Sequence, residues 1–384
     1  MAALDPLAVE FLDEVSVGIF KLPSVKKFPE LAALAFWLRK SNVRTIASDF
    51  ERTVADGELP QPLGLAFHVS PSNVDTIFLY SWALALLAGN LNVVRVSQNV
   101  TPQLDLLLGL LARVMADPRF QSIRERNIVL TYPHDDHISR FLSQRADVRL
   151  VWGGDETVRR LRSLPAKPTT RDVSFADKVS ACVVNAVRYV EMPEDARAST
   201  IGAFYNDAYQ FDQLACSSPH FVFFAGPEQT CETASEIFWT ALAREVERRG
   251  QPEAISSVMN KLVGACELVG RDLNAKWKHG RSSGGPVVVR VPVAELASSR
   301  ERFGGGFFVE SFVADATRIT PAIQPGDQTL SYIGYTRDEM REAARALSVR
   351  GIDRIVPVGQ ALNFTPVWDG YVLLAELTRR VVVS

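Results

Sequence analysis

Cysteine is scarce, and no two cysteines stand close together. The 4 in the chain, Cys182, Cys216, Cys231 and Cys266, show no CxxC spacing and no neighbouring histidine cluster. That excludes a disulfide framework and a cysteine-ligated zinc site, and it fits a reducing, cytoplasmic compartment. Histidine numbers only 5. The local group His134-Asp135-Asp136-His137 reads as a solvated turn and helix cap, so no metal site is expected. A basic excess is also missing: 42 Lys and Arg face 44 Asp and Glu, for a net charge of -2 and a pI near 6.3. Nothing would neutralise a run of phosphates, so nucleic acid is not a partner. Neither a GxGxxG fingerprint nor a P-loop occurs; Gly280 to Gly285 and Gly304-Gly305-Gly306 read as turns. No apolar stretch reaches the roughly 20 residues of a membrane span. The N-terminus carries Asp5 early and lacks the basic and apolar regions of a signal peptide.

What is present is ordinary globular composition, 47% hydrophobic and 22% charged, over a length of 384 residues that suits two or three domains. Phe28 to Lys40 has helical spacing with Pro29 in the first turn. Leu63 to Val69 reads as a strand ending at Ser70-Pro71-Ser72-Asn73. An apolar helix from Thr76 to Gly89 and a strand Asn92 to Val96 follow, which makes a βαβ unit with parallel strands. Helix Pro102–Ala116, strand Asn127–Thr131, helix His137–Gln144, strand Val148–Trp152 and helix Glu156–Ser163 continue the alternation. Asn73 and Gly153-Gly154 therefore sit at the carboxyl edge of a parallel sheet, where open α/β folds bind ligands.

A second α/β block begins near Val183. It contains the helix Cys231–Arg249, the strand Pro286–Val293 and the helix Asp338–Arg350. Trp368 to Val383 ends on an apolar run that suits a strand added to this chain's sheet or to a partner. Within the block, Cys216 follows a mixed segment, Ile201 to Tyr209, and precedes the apolar run Phe221 to Ala225, which reads as a buried strand. Ser217, Ser218 and Pro219 suit a presented nucleophile, although a lone cysteine is more often a small packed hydrophobe. His220, four residues on, would meet the thiol only on a helix, which Pro219 opposes.

Several stretches in order resemble the LuxC-type acyl-CoA (fatty-acid) reductases, members of the aldehyde dehydrogenase superfamily. They are Phe28 to Lys40, Ser70 to Asn73, Gly89 to Arg95, Trp152 to Asp155, Gln213 to Pro219, Gln328-Thr329-Leu330 and Gly351 to Gly370. The resemblance implies an α/β, aldehyde dehydrogenase-like fold: a Rossmann-like nucleotide-binding domain over 1–182, a catalytic domain over 183–360, and a C-terminal segment, 361–384, that returns to the first domain or bridges subunits of a homo-oligomer. It implies Cys216 as the nucleophile that forms a thioester, with the Asn73 side chain and the Cys216 backbone N–H as oxyanion donors. It further implies Arg95, Ser97 and Gln98 at the adenosine half of a nicotinamide cofactor, and Gly153, Gly154 and Asp155 near its pyrophosphate.

Many NAD-specific relatives carry a glutamate just beyond the basic residue. Ser97 and Gln98 are neutral here, which favours NADPH, with NADH as the alternative. The hydrolytic relatives' water-activating glutamate corresponds to Ser174, so a thioacyl enzyme would persist long enough to be reduced. The implied activity is NADPH-dependent reduction of an acyl thioester to an aldehyde, the donor being acyl-CoA, an acyl carrier protein or an acyl group on a partner synthetase. An oxidising aldehyde dehydrogenase and a non-catalytic nucleotide-binding subunit of an acyl-transfer assembly are the alternatives.

Overall fold

A computed structural model describes the chain except for residues 24, 72, 134, 251–254, 272–273, 281–284, 299, 301, 348–350 and 384. The chain divides into two compact units, Met1–Asp177 with Phe364–Ser384, and Lys178–Asn363.

The first unit opens with the helices Pro6–Phe20, Pro29–Leu38 and Lys40–Glu51. The single helix expected over Phe28 to Lys40 stops early because Arg39 is extended, with ψ 141°. The break is held by Lys40 N–H donating to Asp13 Oδ1 (2.8 Å) and by the Asn42 amide donating to Trp37 O (2.6 Å). Strands β1 (Glu58–Pro62), β2 (Leu65–Val69), β3 (Leu91–Arg95), β4 (Asn127–Leu130), β5 (Val148–Trp152) and β6 (Arg171–Phe175) follow. β2 to β6 form a parallel sheet in the order β4-β3-β2-β5-β6. The winding reverses between β2 and β5, which creates a crevice at their carboxyl ends.

The helix between β2 and β3, Ile77–Leu87, is buried at every residue, as its unbroken apolar sequence requires. Within it Ser81 Oγ lies 2.9 Å from His68 Nδ1, and Asn92 Oδ1 lies 3.0 Å from the other ring nitrogen. Burial pushes the His68 pKa down to about 4, so the ring is a neutral core group.

The second unit holds β7 (Val179–Asn185), β8 (Pro219–Ala225), β9 (Lys276–His279), β10 (Val287–Arg290), β11 (Phe307–Val313), β12 (Asp327–Ile333) and β13 (Arg354–Pro357). Their order is β13-β12-β7-β8-β11-β10-β9, and all pairs are parallel except β9 with β10. β8 is central and buried on both faces. Phe221, Phe223 and Ala225 join one core cluster, while Val222 and Phe224 join the other. Period-2 alternation across two covered faces is why its sequence is a continuous apolar run.

The helices Glu194–Tyr209 and Glu228–Arg249 pack on one face of this sheet, and Ile255–Arg271 and Arg337–Ala346 on the other. The segment Ile201 to Tyr209, read from sequence as mixed, is helical: Ile201, Phe204, Tyr205 and Ala208 form its buried stripe at i, i+3, i+4 and i+7. The expected strand Pro286–Val293 is shorter, Val287–Arg290. Residues 348–350 of the helix expected to Arg350, and 281–284 of the expected Gly280 to Gly285 turn, lie outside the described residues.

The chain then completes the first unit with β14 (Val367–Trp368), β15 (Tyr371–Val372) and β16 (Thr378–Val382). β16 pairs antiparallel with β1, so the terminal apolar run adds to a strand of its own chain. Arg171 secures the segment by donating to the carbonyls of Ala375 (3.2 Å), Glu376 (2.6 Å) and Thr378 (3.2 Å). Among the described residues no helix is long and apolar enough to cross a membrane, and no group of three His, Cys, Asp or Glu could hold a metal ion. His134 lies outside the described residues.

Candidate functional site

The first unit carries a cavity of about 480 Å³ at the carboxyl ends of β2, β3 and β5. Its lining includes Asn73, Arg95, Ser97, Gln98, Gly153 and Gly154, so six residues singled out in the sequence converge on one crevice from three separate loops. Ser72 lies outside the described residues. Arg95 is nearly buried. Its guanidinium donates to Tyr132 O (3.3 Å) and lies 4.9 Å from the centre of that ring, which pins it at the end of β3.

Gly153 and Gly154 lead into the helix Asp155–Ser163, and the cap at Gly154 makes no side-chain hydrogen bond. A Cβ on Gly153 would stand 3.0 Å from Thr157 Cγ2, so the strand end and helix start approach as closely as glycine permits. Asp155 does not line the cavity. Its carboxylate accepts the Asp177 N–H at 3.2 Å, while Asp177 Oδ2 accepts the Asp155 N–H at 3.1 Å. Trp152, Asn99 and Thr157 also line the crevice and were not assigned to it from sequence. Trp152 stacks on Phe175 with centroids 3.5 Å apart. Ser174, in β6 opposite Val151, has a buried hydroxyl without a hydrogen-bond partner among the described residues.

In the second unit, Cys216 is half-buried in the loop between the helix Glu194–Tyr209 and β8. Two non-glycine residues just before it, Asp212 (φ 52°) and Gln213 (φ 62°), take left-handed backbone. Such conformations persist only when surrounding contacts over-determine them. Gln213 supplies those contacts. Fully buried, it donates to Pro219 O and Phe307 O at 2.9 Å each and accepts the Gly306 N–H at 2.9 Å. The Gly305 N–H adds a bond to Asp212 O (3.0 Å). The Gly304 to Gly306 turn is thus a clamp on the cysteine loop.

His220 lies within β8, not on a helix with Cys216. It hydrogen-bonds backbone at Gln213, and burial, reinforced by Arg302, pushes its pKa down to about 3, so it stays neutral. The other side of the loop is held by Ser180 Oγ, which donates to Cys216 O (2.7 Å), and the Gln328 amide donates to Cys216 Sγ (3.2 Å). These partners lie 36 and 112 residues from Cys216 in sequence, so no local pattern could have pointed to them. Of the remaining thiols, burial pushes Cys182 up to about 12 and Cys231 up to about 11, which leaves both protonated.

Comparison with known proteins agrees with this architecture. An aldehyde dehydrogenase 21 from Physcomitrella patens, in complex with the product succinate, superposes with a TM-score of 0.69 over 98% of this chain and 85% of its own, at 12% identity. Glyceraldehyde-3-phosphate dehydrogenase GapN from Methanocaldococcus jannaschii, complexed with NADP, gives 0.64 over 98% and 89%, also at 12%. The chain has the aldehyde dehydrogenase fold. A long-chain acyl-protein thioester reductase of Aliivibrio fischeri is 29% identical over 171 residues, 43% of this chain and 33% of the relative, so the match spans about a third of that protein. The family model described as acyl-CoA reductase (LuxC) matches residues 42–380, a span that takes in both the crevice and the Cys216 loop, and the chain belongs to that family.

Proposed function

We propose that the protein reduces an acyl thioester to an aldehyde, with a nicotinamide cofactor held by the first unit and the acyl group carried on Cys216 of the second. The observation that carries this reading is the Cys216 loop: a half-buried thiol presented by strained backbone that a buried glutamine and a glycine turn hold in place. A packed structural cysteine requires no such device.

The chain's own residues account for the first half-reaction. The Cys216 thiolate forms a bond to the acyl carbon, the carbon–sulfur bond to the donor breaks, and the donor thiol leaves with a proton from solvent. Asn73 is the proposed amide donor to the oxyanion, and removal of such a donor typically costs about 2.7 to 4 kcal/mol. Ser174, where hydrolytic relatives carry glutamate, offers no base to activate water, so the thioester survives.

The crevice fits the cofactor. Arg95 offers a cation, Ser97 and Gln98 place no carboxylate against a 2'-phosphate, and Gly153-Gly154 open onto a helix N-terminus suited to a pyrophosphate. NADPH is therefore preferred to NADH. A reduced nicotinamide held by these residues would supply the hydride for reduction of the thioester. The acyl donor is a CoA thioester or, as the name of the Aliivibrio relative suggests, an acylated protein.

Intact-protein mass spectrometry with a panel of acyl-CoAs, on wild type and Cys216→Ala, tests the proposal. An acyl adduct that requires Cys216 and disappears with NADPH as aldehyde forms is expected. Acid production from aldehyde and NAD(P), with no acyl adduct from any thioester, would instead support an oxidising dehydrogenase.

A further inference from the structure

Both ends of Cys216 are tied to β12, the carbonyl to Thr329 by way of Ser180 in β7 and the sulfur directly to Gln328. Its carbonyl accepts the Ser180 hydroxyl at 2.7 Å, and Ser180 Oγ in turn accepts the Thr329 N–H at 3.1 Å. Its Sγ accepts the Gln328 amide at 3.2 Å. β12 reaches the cysteine because its register against β7 slips between Asp327 and Leu330, which takes Gln328 and Thr329 out of the regular ladder. Irregularities of this kind re-aim side chains at strand positions beside functional groups. The amide is oriented as well: Thr329 Oγ1 donates to Gln328 Oε1 (3.3 Å), which leaves Nε2 toward sulfur, and both residues are buried.

We propose that Gln328 is a catalytic residue, its side-chain N–H holding the Cys216 sulfur and stabilising the thiolate that attacks the acyl carbon. The proposal rests on Cys216 being the nucleophile. A hydrogen bond to the charged form favours that form, and thiolate accepts far better than thiol. The donor must also be neutral. A glutamate in this position would set a carboxylate beside a thiolate and oppose ionisation, whereas glutamine donates without adding charge. Because the contact fixes direction as well as charge, it aims the sulfur lone pair at one approach for the acyl carbon.

The test is the pH dependence of Cys216 alkylation by iodoacetamide, in which an S–C bond forms and iodide leaves. Peptide mass spectrometry follows it in full-length wild type, Gln328→Ala and Gln328→Glu, with exposed Cys266 as the internal reference. The alanine variant is expected to react about 10-fold more slowly at pH 7, with its midpoint about 1 pH unit higher. The isosteric glutamate variant should shift further in the same direction, while Cys266 is unchanged. A purely structural role would not order the two variants by charge. Equal midpoints in all three proteins, with Cys216 still acylated in the wild type, would overturn the role of Gln328 and leave the nucleophile intact. Failure of wild-type Cys216 to accept an acyl group from any thioester would overturn the underlying function instead.

Discussion

Gln213 Oε1 accepts the backbone N–H of Gly306 at 2.9 Å, a bond that helps join the loop that presents Cys216 to the turn that precedes β11. Gly306 has φ 89°, and a Cβ there would lie 2.2 Å from Tyr209 Oη. Gly306→Ala is therefore expected to lose about 1 to 3 kcal/mol of stability through backbone strain, and more through the clash. Gln213→Ala leaves two buried carbonyls and a buried N–H without their partner, each worth about 1 to 3 kcal/mol. Thermal melts should show both losses, and Cys216 acylation should slow in both variants at temperatures where they remain folded.

In the proposed cofactor site, charge at the crevice would set the choice between NADPH and NADH. Gln98→Glu places a carboxylate among the lining residues beside Arg95. Two like charges about 5 Å apart repel by roughly 3 kcal/mol at an effective dielectric of 20. The ratio of kcat/KM for NADPH to that for NADH is expected to fall at least about 10-fold. An unchanged ratio would place the 2'-phosphate elsewhere.

Trp368 packs the terminal segment against a residue that lines the crevice. Its ring lies 5.4 Å from Tyr80 and 5.9 Å from Trp152, which lines the cavity. Trp368→Ala should cost about 3 to 5 kcal/mol by the usual scale for deleting a buried aromatic. It should also raise KM for the cofactor more than it lowers kcat, because Trp152 loses a neighbour while Cys216 does not.

Acid should destabilise the fold through two buried histidines. Burial holds His68 near 4 and His220 near 3, below the 6.5 of an exposed ring. The unfolded chain then binds more protons than the native chain between those values, so stability falls as pH drops below 6.5. Each ring contributes up to about 1.4 kcal/mol per pH unit in that window. Buried Asp207, pushed up to about 7, gains stability as pH falls through the same window and offsets about one ring. Urea titrations from pH 7 to pH 4.5 should therefore differ between wild type and His220→Gln by up to about 1.4 kcal/mol per pH unit, the wild type losing more stability in acid.

The layout of helices and strands was legible because the periodicities are strong: β5 begins at Val148 and ends at Trp152 as read, and the continuous apolar run at β8 announced a strand with two covered faces. Where the signal was mixed, it failed. The stripe Ile201, Phe204, Tyr205 and Ala208 is interrupted by polar neighbours and was not recognised as helix, and Arg39 gave no warning that it would end one helix and start another. Of the crevice residues, Asn73, Gly153 and Gly154 could be placed from strand ends, because parallel strands deliver their carboxyl ends to one edge, whereas Arg95, Ser97 and Gln98 were named only through the family resemblance. Asp155 shares that position in sequence but turns to cap against Asp177.

Local sequence determined the α/β class, the Cys216 loop ahead of a buried strand and the strand ends that form the crevice, because periodicity and turn chemistry act within a few residues. Only the tertiary structure decided what surrounds the thiol. Gln328 and Ser180 reach Cys216 because β7 and β12 are paired with a slipped register, and Gly306 reaches Gln213 because the turn before β11 lies beside the loop. Strand order and register are collective outcomes of packing two faces of one sheet, and no stretch of sequence near Cys216 contains them.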